Sequence, residues 1–223
     1  MDDPMGSNGS QNGAVSLLKT LTNNGVEVCF ANPGTSEMHM VAAIGESAEM
    51  RSILGLFEGV CTGAADGYGR MAGKPACTLL HLGPGLSNGS ANLHNAKKAN
   101  SPIINLVGDH ATYHKKYDAP LTSDIEGLAG PISGWVRTVK SPKALPNDAA
   151  EAVLAANTLP GRIATLIIPA DCAWDDSVQA VASLRMPEAP TVSLDAVSQA
   201  ARLLRNGKPT VIIMSNMALT EIG

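Results

Sequence analysis

The chain has 223 residues, 44% of them hydrophobic and 16% charged, with a formal net charge of −4. That is enough apolar material for one complete domain and part of another, while the mild acidity and lack of a basic block exclude nucleic acid or an anionic membrane as the default partner. Aromatic residues make up only 3%, so the core must rely on close packing of Ala, Val, Leu and Gly, as in α/β layers or a tight subunit interface.

The elements alternate from residue 13 onward. Ala14, Val15, Leu17, Leu18 and Leu21 have helical spacing, with Gly25 as the stop. Val26–Ala31 reads as a short buried strand. "NPGTSE" then turns the chain, Thr35 or Ser36 is a candidate cap, and Met38–Ala48 continues as a helix. Arg51–Phe57 predicts the next strand and Gly59–Met71 the next helix. "PACTLLHL" predicts a third strand, followed by a loop "GPGLSNG", a helix to about Asn100, and a fourth strand "PIINLVG". The long stretch from Asp109 to Gly134 shows no regular pattern, and loops of that length inside a compact domain are usually functional. "WVRTVK", "PNDAAEAVLAANTL" and "IATLIIP" then predict strand, helix and strand.

This alternation predicts an α/β fold: a parallel sheet with helices on both faces. Residues 1–11 are polar and rich in Gly, Ser and Asn, and read as a disordered tail. Residues 12–176 form the expected main domain, 177–192 a linker containing Pro187 and Pro190, and 193–223 a single helix and strand. A lone αβ unit cannot bury both faces of its strand, so 193–223 reads as the truncated start of a second domain. Cys29, Cys61, Cys77 and Cys172 show neither CxxC pairing nor zinc-like spacing, as expected of buried thiols in a reducing compartment. No apolar run reaches about 18 residues and no signal-peptide order opens the chain. A cytoplasmic protein without a membrane segment is expected.

In parallel sheets ligands bind at the carboxyl ends of strands. Glu58, the Asn32-Pro33-Gly34 turn, the His81–Gly85 stretch and Asp109-His110 all fall at such ends. Glu58 has an ordinary explanation, since a carboxylate in the first turn of a helix complements its dipole. Gly83-Pro84-Gly85 hints at a Rossmann-type dinucleotide module, but Gly89 comes one place late for the fingerprint. His110 and His114 are four apart, as zinc ligands on a helix would be, yet residues 111–113 are Ala-Thr-Tyr and lack the HExxH glutamate. A positioning or proton-transfer role near a substrate and a solvated loop are both open for them. For His81, among Leu79, Leu80 and Leu82, a hydrogen-bonded core role competes with catalysis. His39 and His94 read as structural, and Asp66 and Arg70 as an i,i+4 ion pair.

"VCFANPGTSE", "LFEGVCTGAADGYGRMAGKP", "LLHLGPGLSNGSANLHNAKKANSPIINLVGDH" and "IIPAD", in that order, resemble the N-terminal pyrimidine-binding domain of thiamine-diphosphate enzymes. The likeness is greatest to the acetolactate synthase large-subunit and benzoylformate decarboxylase branch. It implies that Glu58 hydrogen-bonds N1′ of the cofactor's aminopyrimidine and that His81 is an active-site histidine. It further implies that Asn32, Pro33, Gly34 and Asn88 lie against the cofactor, with Thr35, His110 and His114 as substrate-side candidates. Region 110–120 follows neither the pyruvate decarboxylase nor the synthase pattern. The implied activity is that of a 2-oxo acid decarboxylase or carboligase whose second subunit completes the site, in a homodimer or tetramer. The small residues Gly59, Gly63, Ala64, Ala65, Gly67 and Gly69 would meet that subunit. Thiamine diphosphate is the implied cofactor. Its Mg²⁺ would be held by a C-terminal domain outside this chain, and FAD is possible. A stand-alone pyrimidine-domain subunit of a two-chain decarboxylase is the alternative within this family.

Overall fold

A computed structural model describes residues 11–189 and 191–219. Six parallel strands form one sheet: β1 (Val28–Asn32), β2 (Arg51–Leu54), β3 (Ala76–Leu80), β4 (Ile103–Asp109), β5 (Trp135–Thr138) and β6 (Ile163–Pro169), in the order β2-β1-β3-β4-β6-β5. Helices α1 (Gly13–Asn23), α2 (Met38–Glu46), α3 (Glu58–Ala72), α4 (Leu82–Ala99), α5 (Ile125–Ala129), α6 (Leu145–Asn157) and α7 (Ala170–Trp174) connect them.

Side-chain alternation along the strands sorts the helices into two layers. Cys77, Leu79, Ile104, Leu106 and Leu166 join Leu17, Leu21 and Val153 of α1 and α6 in one core. Leu80, Ile103, Val107, Ile163 and Ile167 join Leu82, Leu86 and Leu93 of α4 in the other. The central strands β3, β4 and β6 are buried along their whole length, as strands covered on both faces must be. The predicted fold class is the observed one.

Several boundaries differ from expectation. The strand read as Arg51–Phe57 ends at Leu54. Gly55 still donates to Ala31 O (2.9 Å), and Leu56 and Phe57 then bend into α3. Thr35 and Ser36 do not cap α2. A 3-10 turn (Thr35–Glu37) precedes it, closed by the Glu37 carboxylate accepting from Gly34 N (2.7 Å). The expected loop "GPGLSNG" is helical, because α4 begins at Leu82. First-turn amides have no intrahelical acceptor, so Pro84 loses no bond there. Part of the 109–134 stretch is also ordered, as a 3-10 turn (Lys115–Tyr117) and α5.

Most small residues of α3 have an in-chain use. Gly63 lies against Asn92, Gly69 against Pro102, and Thr62 fills the space over Gly89 while donating to Gly89 O (3.0 Å). Gly67 is exposed, with open space where a Cβ would stand. Asp66 and Arg70 form the expected ion pair (2.7 Å).

Two compact units divide between Met186 and Pro187. In the first, residues 178–184 run along α1: Ser16 Oγ donates to Val178 O (2.6 Å), and Asn24 Oδ1 accepts from Leu184 N (2.7 Å). Residues 1–10, expected to be a disordered tail, lie outside the described residues; Gln11 O accepts from Ser177 N (2.9 Å). In the second unit α8 (Leu194–Leu204) forms, but the strand read at "TVIIM" does not. Val211–Met214 are exposed and pair with no strand among the described residues.

Candidate active site

The chain leaves β1 toward β2 on one side and β3 toward β4 on the other, so connections diverge between β1 and β3. A crevice at the carboxyl ends of two such strands is where open α/β sheets bind ligands. Asn32 pairs with Leu80 across this point, which brings the turn at Gly34 and the next residue, His81, to one place.

Local backbone conformation aims these groups. Leu82, the residue after His81, is held at φ 50°, a left-handed conformation that costs a non-glycine residue about 1–3 kcal/mol. It turns a strand into a helix within one residue, and His81 O immediately accepts from Gly85 N (2.8 Å). The His81 ring lies flat against Gly34, where any Cβ would collide with it. Its Nδ1 is 2.8 Å from Glu37 Oε2. The Glu37 side chain is wholly buried, whereas that of His81 keeps 22% of its surface exposed. Burial pushes the Glu37 carboxyl above its ordinary value, opposed by hydrogen bonds from Gly34 N and His81.

Glu58 opens α3 and is half-buried. Its Oε2 accepts from Nδ2 of Asn88 (3.0 Å), in the second turn of α4. A Cβ on Gly85 would stand 3.5 Å from Glu58 Oε1 and 3.6 Å from His81 Cβ, so both side chains flank one bare patch of backbone. Asn32 Nδ2 donates to Gly55 O (2.8 Å), tying the end of β1 to the segment that leads into Glu58. Exposed Leu54, Leu56, Phe57 and Val60 surround Glu58 with apolar surface.

Of the residues singled out from sequence, Glu58, Asn88, His81, Gly34 and Asn32 are therefore gathered. Pro33 lies in the same turn, and Thr35 is exposed on it. His110 and His114 are not on a helix. They form a second group on the loop after β4, with ring centroids 5.6 Å apart and the Tyr117 ring tilted against His114 (5.7 Å). His110 Nε2 is buried without a partner among the described residues, and Lys115 pairs with the buried Asp109. The loop returns to the start of α4, where Ser123 occupies the space over Gly83. His39 is exposed beside Trp174 and His94 is exposed on α4. Sequence reasoning missed Glu37. The available signals were an acidic residue three after Gly34 and a bare Gly108 in an otherwise bulky strand; a Cβ there would overlap Glu37 Oε1.

Residues 11–128 match the family described as thiamine pyrophosphate enzyme, N-terminal TPP binding domain. A Mycobacterium tuberculosis protein provisionally named acetolactate synthase large subunit IlvX is 55% identical over 207 residues, covering 93% of this chain and 40% of that protein. Benzoylformate decarboxylase of Pseudomonas aeruginosa is 28% identical over 198 residues, covering 86% of this chain and 37% of the enzyme. Among solved structures, a thiamine diphosphate-dependent 4-hydroxybenzoylformate decarboxylase of Rhodococcus jostii superposes with a TM-score of 0.80 at 21% identity, over 88% of this chain and 38% of that one, a likeness of fold. The chain thus spans about two fifths of the curated relatives' length.

Proposed function

Because the chain belongs to the thiamine pyrophosphate enzymes through their N-terminal TPP binding domain, we propose that its strand-end crevice holds the aminopyrimidine of thiamine diphosphate in a 2-oxo acid decarboxylase or carboligase. The observation that carries this is Glu58. One oxygen is fixed by Asn88, while Oε1 makes no hydrogen bond among the described residues and faces the bare backbone of Gly85. A free carboxylate oxygen beside exposed apolar side chains suits a flat heteroaromatic ring with a basic nitrogen. Thiamine diphosphate supplies, when bound, a nucleophilic carbon and an electron sink for the group left after CO₂ departs.

The chain's own contribution is proton handling and shape. Glu58 holds a proton at the ring nitrogen, Gly34 leaves room for the His81 side chain, and Asn32 and Pro33 fix the turn that flanks the cofactor ring. His81, one residue from Leu80 and on the same crevice, serves the substrate side. Thr35, His110 and His114 are the outer candidates. The proposal leaves the diphosphate and its Mg²⁺ to other parts of the assembled enzyme, and FAD enters no step. A second subunit, in a homodimer or tetramer, covers the apolar surface around Glu58. Four buried free cysteines support the cytoplasm as its compartment; among the described residues no helix is long and apolar enough to cross a membrane.

The test is Glu58→Gln in the assembled enzyme. The amide keeps the shape but cannot exchange the proton, so kcat should fall about 10²–10⁴-fold while cofactor affinity survives. Proton exchange at the cofactor's C2, followed by NMR, should slow with it. Exchange as fast as in wild type would reduce Glu58 to a helix-terminal carboxylate.

A further inference from the structure

Glu37 has no place in the proposed cofactor chemistry, yet it is the most constrained polar group of the crevice. It reaches from the turn after β1 into the space over Gly108 of β4, and no side chain but hydrogen could stand at that glycine. Its Oε2 accepts from Gly34 N (2.7 Å) and approaches His81 Nδ1 (2.8 Å), while its Oε1 is buried with no partner. Burying a carboxylate with an oxygen unpaired is costly, and helix capping gives no reason for it. Capping needs only the Gly34 bond, which a shorter and more exposed side chain could supply.

We propose that Glu37 is the positioning residue of His81. When Glu37 is ionised its Oε2 can only accept from a ring nitrogen, so a neutral imidazole beside it carries its proton on Nδ1. That leaves Nε2 with a lone pair, on the part of a ring that retains 22% exposure and that has no other protein partner among the described residues. A carboxylate or carbonyl on one ring nitrogen is the usual means of deciding which nitrogen is free for chemistry. Gly34 completes the clamp by letting the ring lie flat on the backbone, and Leu82 by its left-handed turn. His81 thereby offers the crevice a proton acceptor of fixed tautomer and direction. The other carboxylate near the ring is Glu58, across Gly85, and it faces the crevice from the opposite helix. This assignment rests on the cofactor reading only for the identity of the molecule whose proton Nε2 accepts.

The test is long-range ¹H–¹⁵N NMR on the ¹⁵N-histidine-labelled 223-residue chain, with no cofactor present. In alkaline buffer, wild-type His81 should show a protonated Nδ1, with a downfield, slowly exchanging proton, and an unprotonated Nε2. Glu37→Ala should lose that resonance and shift the ring toward the Nε2–H form preferred by free imidazole. Glu37→Gln, which keeps an acceptor oxygen, should restore Nδ1–H. A wild-type ring protonated mainly on Nε2 overturns the proposal whether or not any variant folds, as does a Glu37→Ala ring that stays on Nδ1. Neither result depends on thiamine diphosphate: unchanged C2 exchange in the assembled Glu58→Gln enzyme beside an Nδ1–H ring on His81 would refute the proposed function and sustain this inference.

Discussion

At the residue scale, Glu37 is held where its charge is unwelcome, and the stability of the domain should record it. Its folded-state proton affinity is raised above the ordinary value of 4.5, burial being the largest cause. A carboxyl raised on folding stabilises the native state below its unfolded value, and that stabilisation is lost as pH rises through the folded value. Wild type should therefore lose stability between acid and neutral pH through this group, whereas Glu37→Gln has nothing to titrate there. Thermal unfolding of the two proteins should coincide near pH 4 and diverge toward pH 7, the variant melting higher at neutral pH. A variant that melts lower by the same margin at both pH values would mean that the carboxylate serves packing alone. Positions such as Glu37 are hard to read from sequence because the contact that matters spans 44 residues. Glu58 was legible because it stands directly at the end of an apolar strand run, inside a stretch that resembles a known family; its contact to Asn88, 30 residues away, was not.

At the element scale, hydrophobic runs and Gly or Pro punctuation made the strand and helix order of residues 13–174 legible. What misled was composition without position. Gly83-Pro84-Gly85 looks like a loop, yet a helix's first turn tolerates all three residues, and the bare glycines are what let Ser123 and Glu58 come close. "TVIIM" has strand composition but pairs with no strand among the described residues, and pairing makes a strand. The sheet also carries something its apolar pattern concealed. Thr78 Oγ1 donates to Asn105 Oδ1 (2.9 Å), Asn105 Nδ2 donates to Thr165 Oγ1 (3.1 Å), and Thr165 meets Ser133 Oγ (2.7 Å), a buried polar ladder across β3, β4 and β6. Each member is satisfied only through the others. Asn105→Ala takes from Thr78 Oγ1 its acceptor, while Thr165 keeps Ser133, at about 1–3 kcal/mol for the buried group left unpaired. Urea unfolding should show a loss of about 1–3 kcal/mol; a loss under about 0.5 kcal/mol, the range of ordinary surface changes, would mean that water or repacking replaces the ladder.

At the scale of the whole molecule, the first unit closes its core on both faces of the sheet but leaves one apolar surface open, around Glu58. Leu56 is 91% exposed and Leu54 70%, with Phe57 and Val60 also open to solvent. Scattered exposed apolar residues are normal, but a contiguous group beside the carboxylate proposed to serve the cofactor marks a contact site. Gly63 of α3 is used within the chain, against Asn92 of α4, so the proposed contact falls to the exposed apolar side chains on the helix's first turn and on the approach from β2. In a two-fold interface each substitution acts twice. Leu56→Asp removes two Leu side chains, each worth about 1.5–3 kcal/mol when buried, and adds two charges. A loss of about 3 kcal/mol corresponds to a Kd raised roughly 100-fold. Sedimentation velocity at tens of micromolar (about the range where a modest interface persists) should find wild type associated and Leu56→Asp monomeric, with unchanged circular dichroism. If wild type is a monomer there, the surface around Glu58 is not closed by a second copy of this chain, and the partner that completes the crevice must be sought elsewhere.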